Sequence, residues 1–139
     1  MEALAELWAE SWREAMPAID FSARKSWLRS HLPALEAAGA VTICGFDAEG
    51  RLVGFVTVDP ATGYLDQLAV GRHAKGSGAA AALLNEARRI SPHPVFLDVN
   101  QDNSRALRFY AREGFERVGA GVNPLSGLNT WRMRSVQDR

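Results

Sequence analysis

The sequence predicts one domain of mixed α+β class, and three observations carry that prediction. Helical and strand-like periodicities succeed one another in the order ααβββαβαββ. Two turn signals, DAEG at 47–50 and the stretch marked by Pro60 and Gly63, separate three central strands and make them an antiparallel meander. The strand–helix–strand run after them has room for a crossover, which makes its two strands parallel. A chain of 139 residues buries one core but not comfortably two, and no repeat, low-complexity tract or linker divides it.

Each element has its own signal. Leu4, Leu7, Trp8, Trp12 and Ala15 recur at helical spacing, so 2–16 reads as an amphipathic helix that stops before Pro17. Ser22 is a candidate N-cap for a second helix with an apolar stripe of Trp27, Leu28, Leu32 and Leu35, which Pro33 is expected to kink or shorten. The hairpin pairs 41–46 with 51–58, and 64–70 is the third strand. A helix over about 78–90 presents Ala80, Leu83, Leu84, Ala87 and Ile90 on one face. Pro92 and Pro94 then break the chain ahead of a short buried strand at 95–99. The helix over 103–113 ends at Gly114, where a left-handed residue is wanted. Strands 115–120 and 130–136, joined by GVNPLSGLN, close the pattern.

Composition narrows the partners. Sixteen Lys and Arg balance sixteen Asp and Glu, so no net field favours nucleic acid or an anionic membrane, and any anion site must be built locally. No apolar run approaches the length of a membrane span, and MEALAELWAE is acidic where a secretory leader is basic; a cytoplasmic protein is expected. Cys44 is the one cysteine, which excludes an intramolecular disulfide and a multi-cysteine zinc site. Its apolar neighbours in VTICGF predict an inert, buried thiol. His31 and His93 lack metal-ligand spacing and read as surface or packing residues, and no metal is expected.

Residues 68–78, LAVGRHAKGSG, ask for more than a simple connection. A strand ending at Val70, a glycine loop and a helix N-terminus form a general arrangement for holding phosphate. Gly76 and Gly78 let main-chain N–H groups close on an anion, the helix dipole adds positive potential, and Arg72 and Lys75 add whole charges. A nucleotide P-loop is excluded because Lys75 precedes its glycine, and the dinucleotide pattern GxGxxG is absent. The bland alternative is a solvent loop that happens to carry glycines.

A second segment, LDVNQDNSRALRFYAREGF at 97–115, decides between these. Together the two blocks resemble the GNAT superfamily of acyl-CoA N-acyltransferases. The loop follows the pattern Q/R-x-x-G-x-G/A, with His73 at the Q/R position. The second block follows N-x-x-A-x-x-F-Y-x-x-x-G-F at Asn103, Ala106, Phe109, Tyr110, Gly114 and Phe115. The element order over 2–136 also matches the family's, except that the family opens with a strand ahead of the first helix.

The resemblance implies a central, mostly antiparallel mixed sheet flanked by helices, with two parallel strands splayed at the cofactor site. It implies acetyl-CoA as the acyl donor, with its pyrophosphate on Arg72, His73, Ala74, Lys75, Gly76, Ser77, Gly78 and Ala79. Pantetheine would pair with main chain at Leu68, Ala69 and Val70, and an N–H near Val70 would polarise the thioester carbonyl. Asn103 would bond pantetheine or hold its loop; as a plain structural residue it caps the following helix. Tyr110 is the candidate general acid for the departing thiolate, core packing being the alternative. Asp66, on the strand face of Tyr64, is the candidate base, acting directly or through water; it also suits an ammonium partner or a surface charge. The acceptor pocket would draw on Trp12, Tyr64, Asp66 and Trp131, while Trp8 and Trp27 read as core. The activity implied is acetyl transfer to a primary amine of a small molecule or peptide. A non-catalytic acyl-CoA-binding module of the same fold stays open beside it, and the family's last strands often pair as a homodimer.

Overall fold

The structure, a computed structural model, describes residues 2–15, 25–71, 74, 76–124 and 126–136. Its elements are α1 (Glu2–Ala15), α2 (Lys25–Ala37), β1 (Val41–Phe46), β2 (Leu52–Asp59), β3 (Tyr64–Val70), α3 (Ala79–Ile90), β4 (Phe96–Asn100), α4 (Ser104–Arg112), β5 (Phe115–Val122) and β6 (Asn129–Ser135). Order and type agree with the sequence reading throughout. Pro17 and Ser22 lie outside the described residues.

Pro33 does not shorten its helix, which runs on to Ala37. A proline inside a helix deletes one backbone hydrogen bond. Pro33 is exposed while Leu28 and Leu32 are fully buried, so the deletion falls where water replaces the lost bond.

The six strands form one sheet in the order β1-β2-β3-β4-β6-β5. Every pairing is antiparallel except that of β3 with β4. Helices α3 and α4 cover one face over Val56, Val58, Leu97, Val99 and Met133. Helices α1 and α2 cover the other, where Trp8, Leu28 and Leu32 close on Phe55 and Ala69.

Two local features set the shape of the sheet around β3. First, β3 and β4 are in register only at Tyr64↔Phe96, reinforced by Phe96 N–H donating to the Gly63 carbonyl at 3.0 Å. Beyond that point the strands part. Gly63 lets them meet at all: its φ is +88°, and a Cβ there would run into the Pro94 carbonyl. Second, Thr57 and Val58 of β2 face Gln67 and Leu65 of β3, so Asp66 is an extra residue, a β-bulge. The bulge breaks strict alternation. Leu65 and Leu68 join the α3/α4 core, while Asp66 and Gln67 both bond to residues of the α1/α2 layer.

One expectation is corrected. Cys44 is exposed rather than buried, because β1 is the edge of the sheet. Partial desolvation still pushes its thiol pKa up, which favours the protonated form.

Gly54 is the tightest point in the meander. A Cβ there would lie 2.7 Å from the Ala69 carbonyl oxygen and 2.9 Å from Leu83 Cδ1. Gly54→Ala is therefore expected to destabilise the fold by about 1–3 kcal/mol, as overpacking does. Urea denaturation measures this, and an unchanged midpoint would refute the close approach of α3 to β2.

Candidate functional site

Where β3 and β4 part, a cavity of about 590 Å³ opens between them. Its walls are β3 from Leu65 to Leu68 with Val70, β4 from Leu97 to Val99, the loop and first turn of α3, and the near face of α4. The cavity exists because the ladder stops: with no strand to pair, the edges of β3 and β4 face each other across open space.

At one end sits the N-terminus of α3. Its N-cap residue is Gly78, at φ +90°, and no side chain caps the helix. The first intrahelical bond runs from Ala82 N–H to the Gly78 carbonyl at 3.0 Å, so the amides of Ala79, Ala80 and Ala81 precede the helical ladder. Ser77 Oγ turns back to the Ala74 carbonyl and reaches Ala79 N–H only at 3.4 Å. Gly76 also has positive φ, +82°, and nothing lies within 4 Å of the Cβ position of either glycine. The result is a concave, amide-lined surface with the positive end of a helix dipole behind it, which suits a phosphate group. Arg72, His73 and Lys75 lie outside the described residues, while Ala74, Gly76, Gly78 and Ala79 line the cavity.

Helix α4 begins differently. Asn103 Oδ1 accepts from Ala106 N–H at 3.2 Å, so its side chain caps the helix, and the residue also lines the cavity. Seven residues on, Tyr110 reaches the same cavity from within the core. It is 9% exposed and packs edge-on against Phe109 and Phe115, with centroids 5.1 and 5.4 Å away. Burial pushes its phenol pKa far above the ordinary tyrosine value. Its hydroxyl has no hydrogen-bond partner among the described residues. Arg105, Arg108 and Arg112 add positive charge along the same wall.

The opposite end carries the bulge. Asp66 lines the cavity, and its Oδ2 lies 2.7 Å from His31 Nε2 of α2 and 3.3 Å from Gln67 Nε2. Gln67 Oε1 in turn accepts from Trp8 Nε1 at 2.7 Å. The His31 ring stacks on Trp27 with centroids 4.2 Å apart. Tyr64 donates to Asp98 Oδ2 at 3.3 Å, and Arg132 grips both oxygens of Asp98 at 3.0 and 3.1 Å. Desolvation, then the negative charges of Asp98 and Asp66, push the Tyr64 phenol up to about 12.

The structure thus brings Asp66, Leu68, Val70, Ala74, Gly76, Gly78, Ala79, Asn103 and Tyr110 to one cavity. Tyr64 and Trp131 stand away from its walls. Tyr64 turns to Asp98, and Trp131 packs against the core with the Arg117 guanidinium 4.8 Å over its ring. Ala69 packs into the α1/α2 core and does not line the cavity. The Trp12 side chain lies outside the described residues. Sequence reasoning missed His31, Gln67 and Asp98. For His31 a signal was present: it interrupts an otherwise apolar helical stripe between Leu28 and Leu32.

A mixed sheet opened between two parallel strands, with an uncapped, glycine-led helix at the gap, defines the acyltransferase-type fold that the two sequence blocks imply. Residues 1–115 match the acetyltransferase (GNAT) family, and the chain belongs to it. It is 28% identical over 135 residues to the peptidyl-lysine N-acetyltransferase YiaC of Escherichia coli, covering 96% of this chain and 88% of that protein. It is 34% identical over 92 residues to an uncharacterized N-acetyltransferase of Mycobacterium tuberculosis; that match takes in 61% of this chain and about half, 54%, of the relative. Among solved structures it resembles apo YjaB from Escherichia coli, with TM-score 0.81 at 22% identity over 99% of this chain and 91% of that one. It also resembles a PaiA N-acetyltransferase from Thermoplasma acidophilum in complex with coenzyme A, with TM-score 0.75 at 21% identity over 96% and 91%. No helix among the described residues is long and apolar enough to cross a membrane.

Removing the α4 cap by Asn103→Ala is expected to lower stability by about 1 kcal/mol, and Asn103→Asp to restore it. Thermal melting of the two variants checks this; an Ala variant as stable as wild type would show that the cap contributes nothing.

Proposed function

We propose that this chain is a cytoplasmic acetyltransferase that moves an acetyl group from acetyl-CoA to a primary amine of a small molecule or peptide. One observation carries the reading: the uncapped start of α3, the unpaired edge of β3, Tyr110 and Asp66 all open onto a single cavity. The amide-lined surface at the start of α3, around Gly78 and Ala79, suits a diphosphate. The main chain of Leu68–Val70 is paired with β2 on one side only, and its other edge is free to bond an extended amide chain. Acetyl-CoA, when bound, supplies the activated acyl group and a thiol leaving group.

The remaining work falls to this chain's residues. A main-chain N–H near Val70 donates toward the acyl carbonyl. Asp66 takes the proton that an ammonium must shed before its nitrogen becomes a nucleophile. The Tyr110 hydroxyl donates to the departing sulfur. The burial that holds this phenol protonated at every working pH also makes it a weak acid, so its contribution is a hydrogen bond more than a completed transfer. A thiolate leaves readily, and turnover does not depend wholly on this group. The primary amine is supported by the relative named for peptidyl-lysine acetylation and by the anionic Asp66 in the cavity wall.

Calorimetry with coenzyme A is expected to show binding, and Gly76→Glu to abolish it, because a side chain and a negative charge would fill the amide-lined hollow. Thiol release from acetyl-CoA across a panel of amines then tests transfer. Binding with no turnover on any amine would favour a non-catalytic acyl-CoA-binding module instead. Tyr110→Phe is expected to lower kcat roughly ten- to hundredfold, toward the modest end of general acid effects, with coenzyme A affinity unchanged. Full turnover in that variant would remove Tyr110 from the chemistry.

A further inference from the structure

We infer that His31 is a positioning residue for the transfer reaction: its Nε2–H fixes Asp66 Oδ2 and leaves Oδ1 to face the acceptor nitrogen. This rests on the proposed transferase activity and on Asp66 as its base.

The bulge creates the arrangement. Because Asp66 is the extra residue in β3, it and Gln67 share the α1/α2 face instead of alternating. Two neighbouring polar side chains there need partners, and the helices provide them. The Trp8 indole is a donor only, so its 2.7 Å bond to Gln67 fixes the amide oxygen toward α1 and turns the NH₂ to Asp66. An ionised carboxylate only accepts. With the carboxylate as acceptor, the 2.7 Å contact with His31 needs a proton on Nε2. Both donors converge on Oδ2, and Oδ1 has no partner among the described residues. The carboxylate is consequently held by one oxygen with the other unengaged at the cavity wall.

The imidazole is itself held. It stacks on Trp27 at an interplanar angle of 19°, and Trp27 leans on the buried Trp8 with centroids 5.9 Å apart. Trp8, Trp27 and Gln67 thus form a frame around the pair. The side chains of His31 and Asp66 are 26% and 15% exposed, so the bond is shielded but remains within reach of the cavity. His31 does not line the cavity and acts only through Asp66.

The full-length protein tests this, with acetyl-CoA as donor and a lysine peptide and spermidine as amine probes. His31→Leu keeps an apolar body against Trp27 and removes the donor. It is expected to lower kcat about tenfold or more while KM for acetyl-CoA stays constant, a portion of what a general base contributes. His31→Gln, whose terminal NH₂ can reach the same oxygen, is expected to recover most of that loss. Imidazole ¹⁵N spectra of the free protein should show a slowly exchanging Nε2 proton that disappears in Asp66→Ala; this readout stands even if His31→Leu folds poorly. Turnover in His31→Leu equal to wild type, or an imidazole spectrum that Asp66→Ala leaves unmoved, would overturn the assignment while leaving the transferase reading intact. A wild-type chain that binds coenzyme A but acetylates neither these probes nor any other amine overturns both.

Discussion

The structure depends on a sheet that is left incomplete. Between β3 and β4 the ladder is made at Tyr64↔Phe96 and then abandoned, although both strands continue for several residues. Backbone groups left unpaired away from water are costly, so such a gap persists only if neighbouring elements hold it open and something polar can occupy it. Here the strands are pinned at the closed end by the Gly63 carbonyl, the Tyr64–Phe96 ring contact and the bonds among Tyr64, Asp98 and Arg132. At the open end each strand is secured on its far side, β3 by β2 and β4 by β6. The opening is a property of the whole sheet.

The two helices that border the gap manage their N-termini in opposite ways. Asn103 satisfies the start of α4 internally, which leaves that helix to present Tyr110 and its arginines. The start of α3 has a glycine where a capping side chain would sit, and its amides stay available. In a chain with no net charge this asymmetry matters. It concentrates positive potential at one end of the cavity without giving the molecule a general affinity for polyanions. The carboxylate of Asp66 sits on the wall of the same cavity, apart from that helix start.

The bulge at Asp66 links this cavity to the α1/α2 layer. One extra residue in β3 redirects two side chains, and both are met by helical partners some sixty and thirty-five positions away in sequence, as Trp8–Gln67 and His31–Asp66. Packing and polar positioning are therefore the same event on that face: Trp8 is at once a core residue and a hydrogen-bond donor.

The order and type of the elements were legible in the chain, because hydrophobic period and turn chemistry are local. So were Gly76, Gly78, Asn103 and Tyr110, whose spacing within two short segments forms recognisable blocks. Even the positive φ at Gly50, Gly63, Gly78 and Gly114 follows from glycine at a turn or helix end. The exposure of Cys44 was not legible, because it depends on whether a strand lies at an edge, and strand order is a long-range property. Gln67 and Asp98 were invisible for the same reason, and His31, though it breaks an apolar stripe, gave no sign of the partner it would meet. Their meaning comes from a bulge that shifts strand parity and from partners brought together only by folding. Local spacing determined which residues could begin a helix or turn a chain; the tertiary structure decided which side chains meet, because register and layer stacking are set by contacts that no short window contains.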